Sequence, residues 1–480
     1  MAKKTDVLVI GAGPGGYPAA IRSAQLGKEV IIIDKGSIGG ECLNWGCIPS
    51  KALISAADFY YKIIHETPKM GITTENTKID VKQLQKWKAD VVKKLVSGVK
   101  TLLKSNRVET IIGTASFIGS HKIEVKLKDG STEIIEAEDI VIATGTEFRS
   151  LPGLQIDDRN ILSARGALDL DHVPEEILCI GGGIIGIELG SVYAKLGSKV
   201  KVVEVMTDII HGVDASMIKV LKDKLVKLGV EIFTETKVSE VKPREDGKLV
   251  VEIETKDKGT LHLTTDKILL GVGKVPNTSE LNLEAVGVKT DAKGFIITDI
   301  QQRTNINHIY AIGDCTGMPF LAHRATKQGI IAAEVIGGLK SEADFRSMPG
   351  AIFTDPEIAY AGMFEHEAKA AGYNVIVAQA PFRVSGRALT QLEQEGYVNV
   401  VVNADNGILL GAQIIGPHAS DLISEISLAL EMGATAEDIS FTVHPHPTLP
   451  EMIMEAVEAA QGKAIHVANV KRNKNPKESL

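Results

Sequence analysis

Cysteine is scarce in this chain, with four among 480 residues. That excludes a small scaffold stapled by disulfides. It also argues against a structural zinc site, which usually takes C-x2-C pairs. Cys42 and Cys47 have four residues between them, while Cys179 and Cys315 each stand alone. Long apolar runs are missing as well. None reaches the roughly 18 residues that a membrane-spanning helix needs. Positive charge is not in excess: the net charge is −8, which argues against a general nucleic-acid binder. No leader segment is expected either, since the chain begins Met-Ala-Lys-Lys-Thr-Asp and enters a strand pattern by Val7. The expected compartment is therefore the cytoplasm. Disulfides there are rare, and those that form are usually catalytic.

What is present is a mixed-charge composition, 44% hydrophobic and 24% charged, typical of a globular protein. The length implies two to four domains. Asp6–Ile10 reads as a buried strand running into Gly11-Ala12-Gly13-Pro14-Gly15-Gly16, followed by a helix over 17–27 and a second strand ending at Asp34. This is the dinucleotide fingerprint. Gly11 permits the tight turn, Gly13 lets backbone approach a pyrophosphate, and Gly16 allows helix and strand to pack closely. The helix N-terminus offers N–H groups to phosphate, and Asp34 can accept from a ribose diol.

The arrangement recurs. Ile177–Ile180 runs into Gly181-Gly182-Gly183-Ile184-Ile185-Gly186, then a helix to Gly197 and a strand ending at Glu204. The first glycine and the acid are 23 positions apart in both copies. Two fingerprints of equal spacing imply two dinucleotide-binding domains. A carboxylate at Glu204 favours a free 2′-hydroxyl and repels a 2′-phosphate, so NAD is preferred over NADP.

Between the fingerprints, Trp87, Val91, Leu95 and Val99, extended by Leu102 and Leu103, predict an amphipathic helix whose lysines, Lys88 among them, are solvated. Ile123–Leu127 and Asp139–Thr144 predict strands, and Leu151-Pro152-Gly153 marks a boundary. A helix over 213–230 precedes a strand-rich stretch to 270. Ile309–Ile312 predicts a strand ending at Gly313-Asp314. From about 347 onward come strands at Tyr397–Val402 and Leu409–Ile415, a helix at 420–432, and no nucleotide signature. The tail from Val470 is basic and polar, and is expected to fray.

Two clusters carry reactive side chains. The first is Gly39-Gly40-Glu41-Cys42-Leu43-Asn44-Trp45-Gly46-Cys47-Ile48-Pro49-Ser50-Lys51. Residues five apart in a regular helix have Cα atoms about 8–9 Å apart, whereas a disulfide needs about 4.4–6.8 Å. Either these are two core thiols, or the stretch bends out of regular helix, for which Gly46 and Pro49 are suited. The second is His444-Pro445-His446-Pro447-Thr448-Leu449-Pro450-Glu451. It is either a base with its orienting acid, or a loop of histidines stiffened by Pro445 and Pro447.

Together these motifs resemble the flavoprotein disulfide reductases, the pyridine nucleotide–disulfide oxidoreductases. The resemblance spans essentially the whole chain: both fingerprints, the paired-cysteine stretch, the Ala143-Thr144-Gly145 and Gly313-Asp314-Cys315 segments, and the His-Pro-Thr-Leu-x-Glu close. Leu43, Ser50 and Lys51 resemble the lipoamide branch. The glutathione branch carries Val and Lys at the first two of these positions. The chain departs from the pattern at Glu41, usually Thr; at Trp45; at Lys274, usually Arg; at Met318–Arg324; and at Pro450.

The resemblance implies an α/β fold with two Rossmann-like, glutathione-reductase-like domains and a C-terminal α+β dimerisation domain. FAD is expected on residues 1–150 and 276–346, NAD on 151–275, and the dimer interface on 347–480. The expected FAD contacts are Gly11, Gly13, Gly16, Asp34, Lys35, Gly40, Cys42, Lys51, Ala115, Thr144, Gly145, Asp314 and Ala322. Those for NAD are Gly181, Gly183, Gly186, Glu204, Val238 and Gly273. Cys42 is expected to form the mixed disulfide, Cys47 to face the flavin, and Lys51, partnered by Glu188, to place positive charge beside it. His446, oriented by Glu451, acts on the partner subunit's disulfide. The implied reaction is oxidation of protein-bound dihydrolipoamide with NAD+, in a homodimer serving the lipoyl domain of an acyltransferase component or a glycine cleavage carrier. A glutathione-type NADPH reductase is opposed by Glu204. A mercuric-type one is opposed by the lack of any cysteine after Cys315. A flavin enzyme without a dithiol, or a docking subunit without turnover, is opposed by the intact Cys42, Cys47 and His446.

Overall fold

The computed structural model describes residues 2–470; the expectation for the tail beyond Val470 falls outside them. Four parallel strands in the order 30–34, 3–10, 132–142, 309–311 form the centre of the first sheet, with Glu109–Gly119 parallel to Val30–Asp34 on the outer side. Lys122–Leu127 runs antiparallel to both 109–119 and 132–142 and links them. Val7–Ile10 and Val30–Ile33 are buried without interruption, as parallel strands covered on both faces must be. The predicted helix after the fingerprint spans Gly16–Gln25 and packs on the helix Ala322–Ile336, where Gly329 leaves room for Gly15.

A second, all-parallel sheet has the order 231–233, 199–203, 176–180, 267–270, 161–162. An antiparallel meander, Thr236–Pro243, Leu249–Thr255 and Gly259–Thr265, packs beside it. Between the two nucleotide-type sheets the chain crosses twice, at Thr146–Phe148 and Lys274–Pro276. These two short strands pair antiparallel, Thr146 opposite Pro276 and Phe148 opposite Lys274. The last sheet is antiparallel throughout, in the order 350–352, 357–362, 409–416, 397–403, 375–381. The helices Ala419–Met432 and Glu451–Gln461 cover it and complete its core.

The predicted amphipathic helix spans Val81–Ser105, capped by Asp80 accepting from the N–H of Gln83. Its buried face differs from the expected stripe. Leu84, Lys88, Val99 and Leu103 are buried, while Trp87, Leu95 and Leu102 are exposed. Steps of four residues advance about 400° at 3.6 residues per turn, so a stripe through 87, 91, 95 and 99 winds around the helix instead of staying on one face. Lys88 is therefore not solvated. It is 5% exposed and reaches the Leu168 carbonyl and Asp169, 2.8 Å away.

Candidate active site

Both fingerprint loops are built the same way. Gly11 has φ +103° and Gly181 φ +101°. A Cβ at Gly11 would collide with the Ala143 carbonyl, and one at Gly181 with that of Gly271. In each loop the third glycine, Gly16 or Gly186, lies against the carbonyl of the first. The middle glycines differ: Gly183 has open space around it, and a Cβ at Gly13 would meet only Gly40 Cα, at 3.8 Å. These are cradles that a ligand backbone can approach. The acids close the loops. Asp34 accepts from the N–H groups of Ala12 (2.9 Å), Gly36 (2.8 Å) and Ser37 (2.5 Å), and Glu204 from those of Gly182 (2.6 Å) and Met206 (2.8 Å). Sequence reasoning gave them only ligands, yet each carboxylate has about four acceptor sites, so some remain free for a ribose.

Around the first loop, Thr144 Oγ1 is buried without a hydrogen-bond partner, a vacancy suited to a polar ligand. Gly145 takes φ +67° beside it. Burial pushes the Asp314 carboxyl above its usual value, against the pull of Lys274 and Arg324, and Thr146 Oγ1 donates to it at 3.4 Å. Ala322 opens the helix to 336, Lys35 pairs with Glu280, and Ala115 lies buried in its strand opposite Val125. In the second nucleotide unit, Val238 packs on the meander core, and Gly273, at φ +99°, stands in open space where the chain turns back toward Lys274. The two glycine loops with their closing acids have the shape and chemistry that two dinucleotides need.

The paired-cysteine stretch is not one helix. Gly40–Trp45 forms a first helix, Gly46 breaks it with φ −129° and ψ −112°, and Cys47–His65 starts a second. A Cβ at Gly46 would lie 3.0 Å from the Glu41 carbonyl, so the break sits where a side chain would crowd. Pro49 falls in the first turn of the second helix, where its missing N–H costs nothing. Asn44 pins the short helix by donating to the carbonyls of Gly40 (2.8 Å) and Ile38 (3.1 Å). The bend folds Gly46 back over Cys42, whose Cα a Cβ at Gly46 would meet at 3.3 Å, and so sets the two cysteines side by side. Interaction between the thiols, with the positive charge of Lys51 adding to it, holds Cys47 below the ordinary thiol value. The same interaction together with burial pushes Cys42 up. The pair is asymmetric, the two thiols being shifted in opposite directions. Cys179 and Cys315, fully buried, are pushed up to about 12 and about 11, which makes them poor nucleophiles.

Glu188 lies buried on its helix, where spacing alone does not tell it from a surface residue. It is 5% exposed, 2.8 Å from Lys51 Nζ, and accepts from the Phe353 N–H at 2.8 Å. Lys51 Nζ also lies 4.4 Å from the centre of the Phe353 ring. Three parts of the chain thus meet behind the thiols. Phe353 carried no signal of its own in the sequence. A second buried charge was equally silent: Lys195, held by Asp58 at 2.5 Å and Asp355 at 2.7 Å.

His446 Nδ1 is 2.8 Å from Glu451 Oε1, and Glu451 Oε2 accepts from the Thr448 N–H at 2.7 Å. His446 is 79% exposed at the side chain, which leaves Nε2 open. Partial burial pulls the Glu451 carboxyl up, but the Thr448 N–H and His446 hold it below the usual carboxylate range. His444 is used differently. Nδ1 faces the Thr442 carbonyl (2.9 Å) and Nε2 the Glu425 carboxylate (2.8 Å), and the Glu425 bond raises its pKa. Among the described residues, no hydrogen bond joins His446 or Glu451 to Cys42 or Cys47 within one chain.

Two nucleotide folds around an asymmetric dithiol define a nucleotide-dependent dithiol–disulfide oxidoreductase. Residues 5–329 match the pyridine nucleotide-disulphide oxidoreductase model, and 348–457 match the dimerisation domain of the same family. The dihydrolipoyl dehydrogenase of Geobacillus stearothermophilus is 47% identical over 97% of this chain and 98% of its own length. That of Haloferax volcanii is 43% identical over 98% and 99%. The crystal structure of LpdA from Mycobacterium tuberculosis superimposes with a TM-score of 0.88 at 30% identity, covering 95% of this chain and 99% of that one. The chain belongs to the pyridine nucleotide–disulfide oxidoreductases and, within them, to the dihydrolipoyl dehydrogenases. No helix among the described residues is long and apolar enough to cross a membrane.

Proposed function

We propose that this protein oxidises protein-bound dihydrolipoamide to lipoamide and reduces NAD+ to NADH. The observation that carries this reading is the break at Gly46, which sets Cys42 beside Cys47 at the start of the helix that bears Lys51, itself paired with Glu188. Gly11, Gly13, Gly16, Asp34, Thr144 and Asp314 would hold FAD, and Gly181, Gly183, Gly186 and Glu204 would hold NAD. Bound there, FAD would supply two-electron redox chemistry between the dithiol and the nicotinamide.

The chain's own residues perform the exchange. His446, oriented and polarised by Glu451, takes a proton from a substrate thiol, because the thiolate is the attacking species. The thiolate attacks Cys42 of the Cys42–Cys47 disulfide, forming a substrate–Cys42 bond and releasing Cys47 as a thiolate. The second substrate thiol then displaces Cys42, closing the lipoyl disulfide, with two electrons left on the cysteines. Lys51 stabilises negative charge at Cys47. In a homodimer the His446–Glu451 pair of one subunit would serve the dithiol of the other. The lipoyl group arrives on an acyltransferase lipoyl domain or a glycine cleavage carrier, in the cytoplasm.

Paired assays on FAD-loaded protein test the reading. Dihydrolipoamide with NAD+ should give NADH, and Cys42→Ser should abolish it. Glutathione disulfide with NADPH should stay silent. Activity only in the second assay would move the chain to the glutathione branch and defeat the argument from Glu204.

A further inference from the structure

The short helix bearing Cys42 also carries an ion pair that the exchange chemistry leaves unused. Glu41 directly precedes Cys42, and its carboxylate is bonded to Nζ of Lys274, 233 positions away. Both side chains are largely shut from water. Lys274 opens one strand of the ribbon that links the two nucleotide-binding units. Its Nζ lies 5.0 Å from the ring centre of Phe148, its neighbour across that ribbon. Glu41 and Lys274 are both departures from the family pattern of Thr and Arg, and in the fold they meet each other.

The electrostatics explain why neither works alone. Burial raises the Glu41 carboxyl, Lys274 opposes that, and Asp314 and Glu147 add to it. A buried carboxylate without a partner is costly, and one beside a dithiol also resists thiolate formation: Glu41 raises Cys47 while Lys51 lowers it. Lys274 without Glu41 would leave a largely buried ammonium without its anion. The remaining charged or titratable groups here are Tyr17, facing Cys42; Arg324, beside Asp314; Glu188, on Lys51; and Arg165, 4.7 Å from the Trp45 ring centre.

We propose that Glu41 and Lys274 form one positioning unit, which ties the Cys42 helix to the ribbon between the nucleotide-binding domains and cancels its own charge beside the dithiol. This rests on Cys42 and Cys47 being the reacting pair.

The test uses full-length, FAD-loaded protein with the dithiol reduced, in wild type, Glu41→Thr, Lys274→Met, the double variant and Lys274→Arg. Iodoacetamide alkylation of Cys42 and Cys47 is followed against pH by peptide mass spectrometry, alongside thermal unfolding midpoints. Glu41→Thr should lower the midpoint pH of thiolate reactivity and Lys274→Met should raise it. Each should change the thiolate fraction about threefold, equivalent to about half a pKa unit. The unfolding midpoint should fall in each single variant and recover in the double, while Lys274→Arg keeps wild-type values. Thiol midpoints that stay put or move together, or thermal losses that add, would overturn the proposal. Alkylation needs neither a lipoyl substrate nor a nucleotide, so failure of the dihydrolipoamide assay would sink the functional reading without deciding this one.

Discussion

Lys51 and Glu188 are 137 positions apart in the chain, and their charged atoms are 2.8 Å apart in the fold. The carboxylate has its second oxygen on the Phe353 N–H, so it cannot swing away when the lysine is lost. Glu188→Ala removes a charge-assisted bond and leaves Lys51 without its anion. The expected loss is about 1.5–3 kcal/mol, read from urea unfolding midpoints, with a fall in turnover. Glu188→Asp should recover part of both. A neutral result in unfolding would mean that the pair does not hold the domains together.

For the His446–Glu451 pair the main effect is on rate. His446→Gln should reduce kcat by about 10²–10⁴, the span for loss of a positioned general base. The Glu451 carboxyl is held below its usual value, so its stabilising contribution is present above the unfolded carboxylate pKa, about 4.3. It is lost as pH falls through the lower folded value. Denaturation of wild type and Glu451→Gln should differ at neutral pH and converge in acid. Convergence at high pH instead would reverse the assignment.

His444 should behave with the opposite sign. Both its ring nitrogens face acceptors, so the imidazolium form satisfies both contacts, and its pKa is raised. The stability it contributes is fully present below about 6.5, the unfolded value, and disappears as pH rises through the folded one. His444→Gln should be destabilised in mild acid and approach wild type in alkali. Equal destabilisation at both ends would mean that packing, not charge, is at stake.

Gly11 and Gly13 should separate folding from cofactor retention. Alanine at Gly11 would force a positive φ on a Cβ that meets the Ala143 carbonyl, costing about 1–3 kcal/mol from strain alone. At Gly13 the methyl meets nothing closer than 3.8 Å, so Gly13→Ala should unfold like wild type yet purify with less flavin. Full flavin content in Gly13→Ala would remove this loop from the FAD site.

The two fingerprints were legible because their first and third glycines answer a local demand, a positive φ or a carbonyl at contact distance, that only glycine meets. Helix geometry asked for a bend in the paired-cysteine stretch only if the two thiols meet, and the break falls at Gly46. Contacts across long sequence separation carried no local signal, and the Lys51–Glu188 pair came only from the resemblance. Nothing local distinguishes Glu188 from a surface residue, and nothing local announces that Glu41 and Lys274 are partners. The helix Val81–Ser105 misled in its own way, because a four-residue recurrence looks like a stripe on paper and is a slow spiral in space.

The ribbon of Thr146–Phe148 and Lys274–Pro276 has a consequence for how the molecule is assembled. The path leaves the first sheet and returns to it through adjacent strands, so everything from Phe148 to Lys274 is topologically one long loop pinched at its neck. Such an excursion can lengthen, shorten or be exchanged at small entropic cost to the host. In this architecture the nucleotide-binding half is a replaceable cartridge, and the Glu41–Lys274 pair is the latch at its socket.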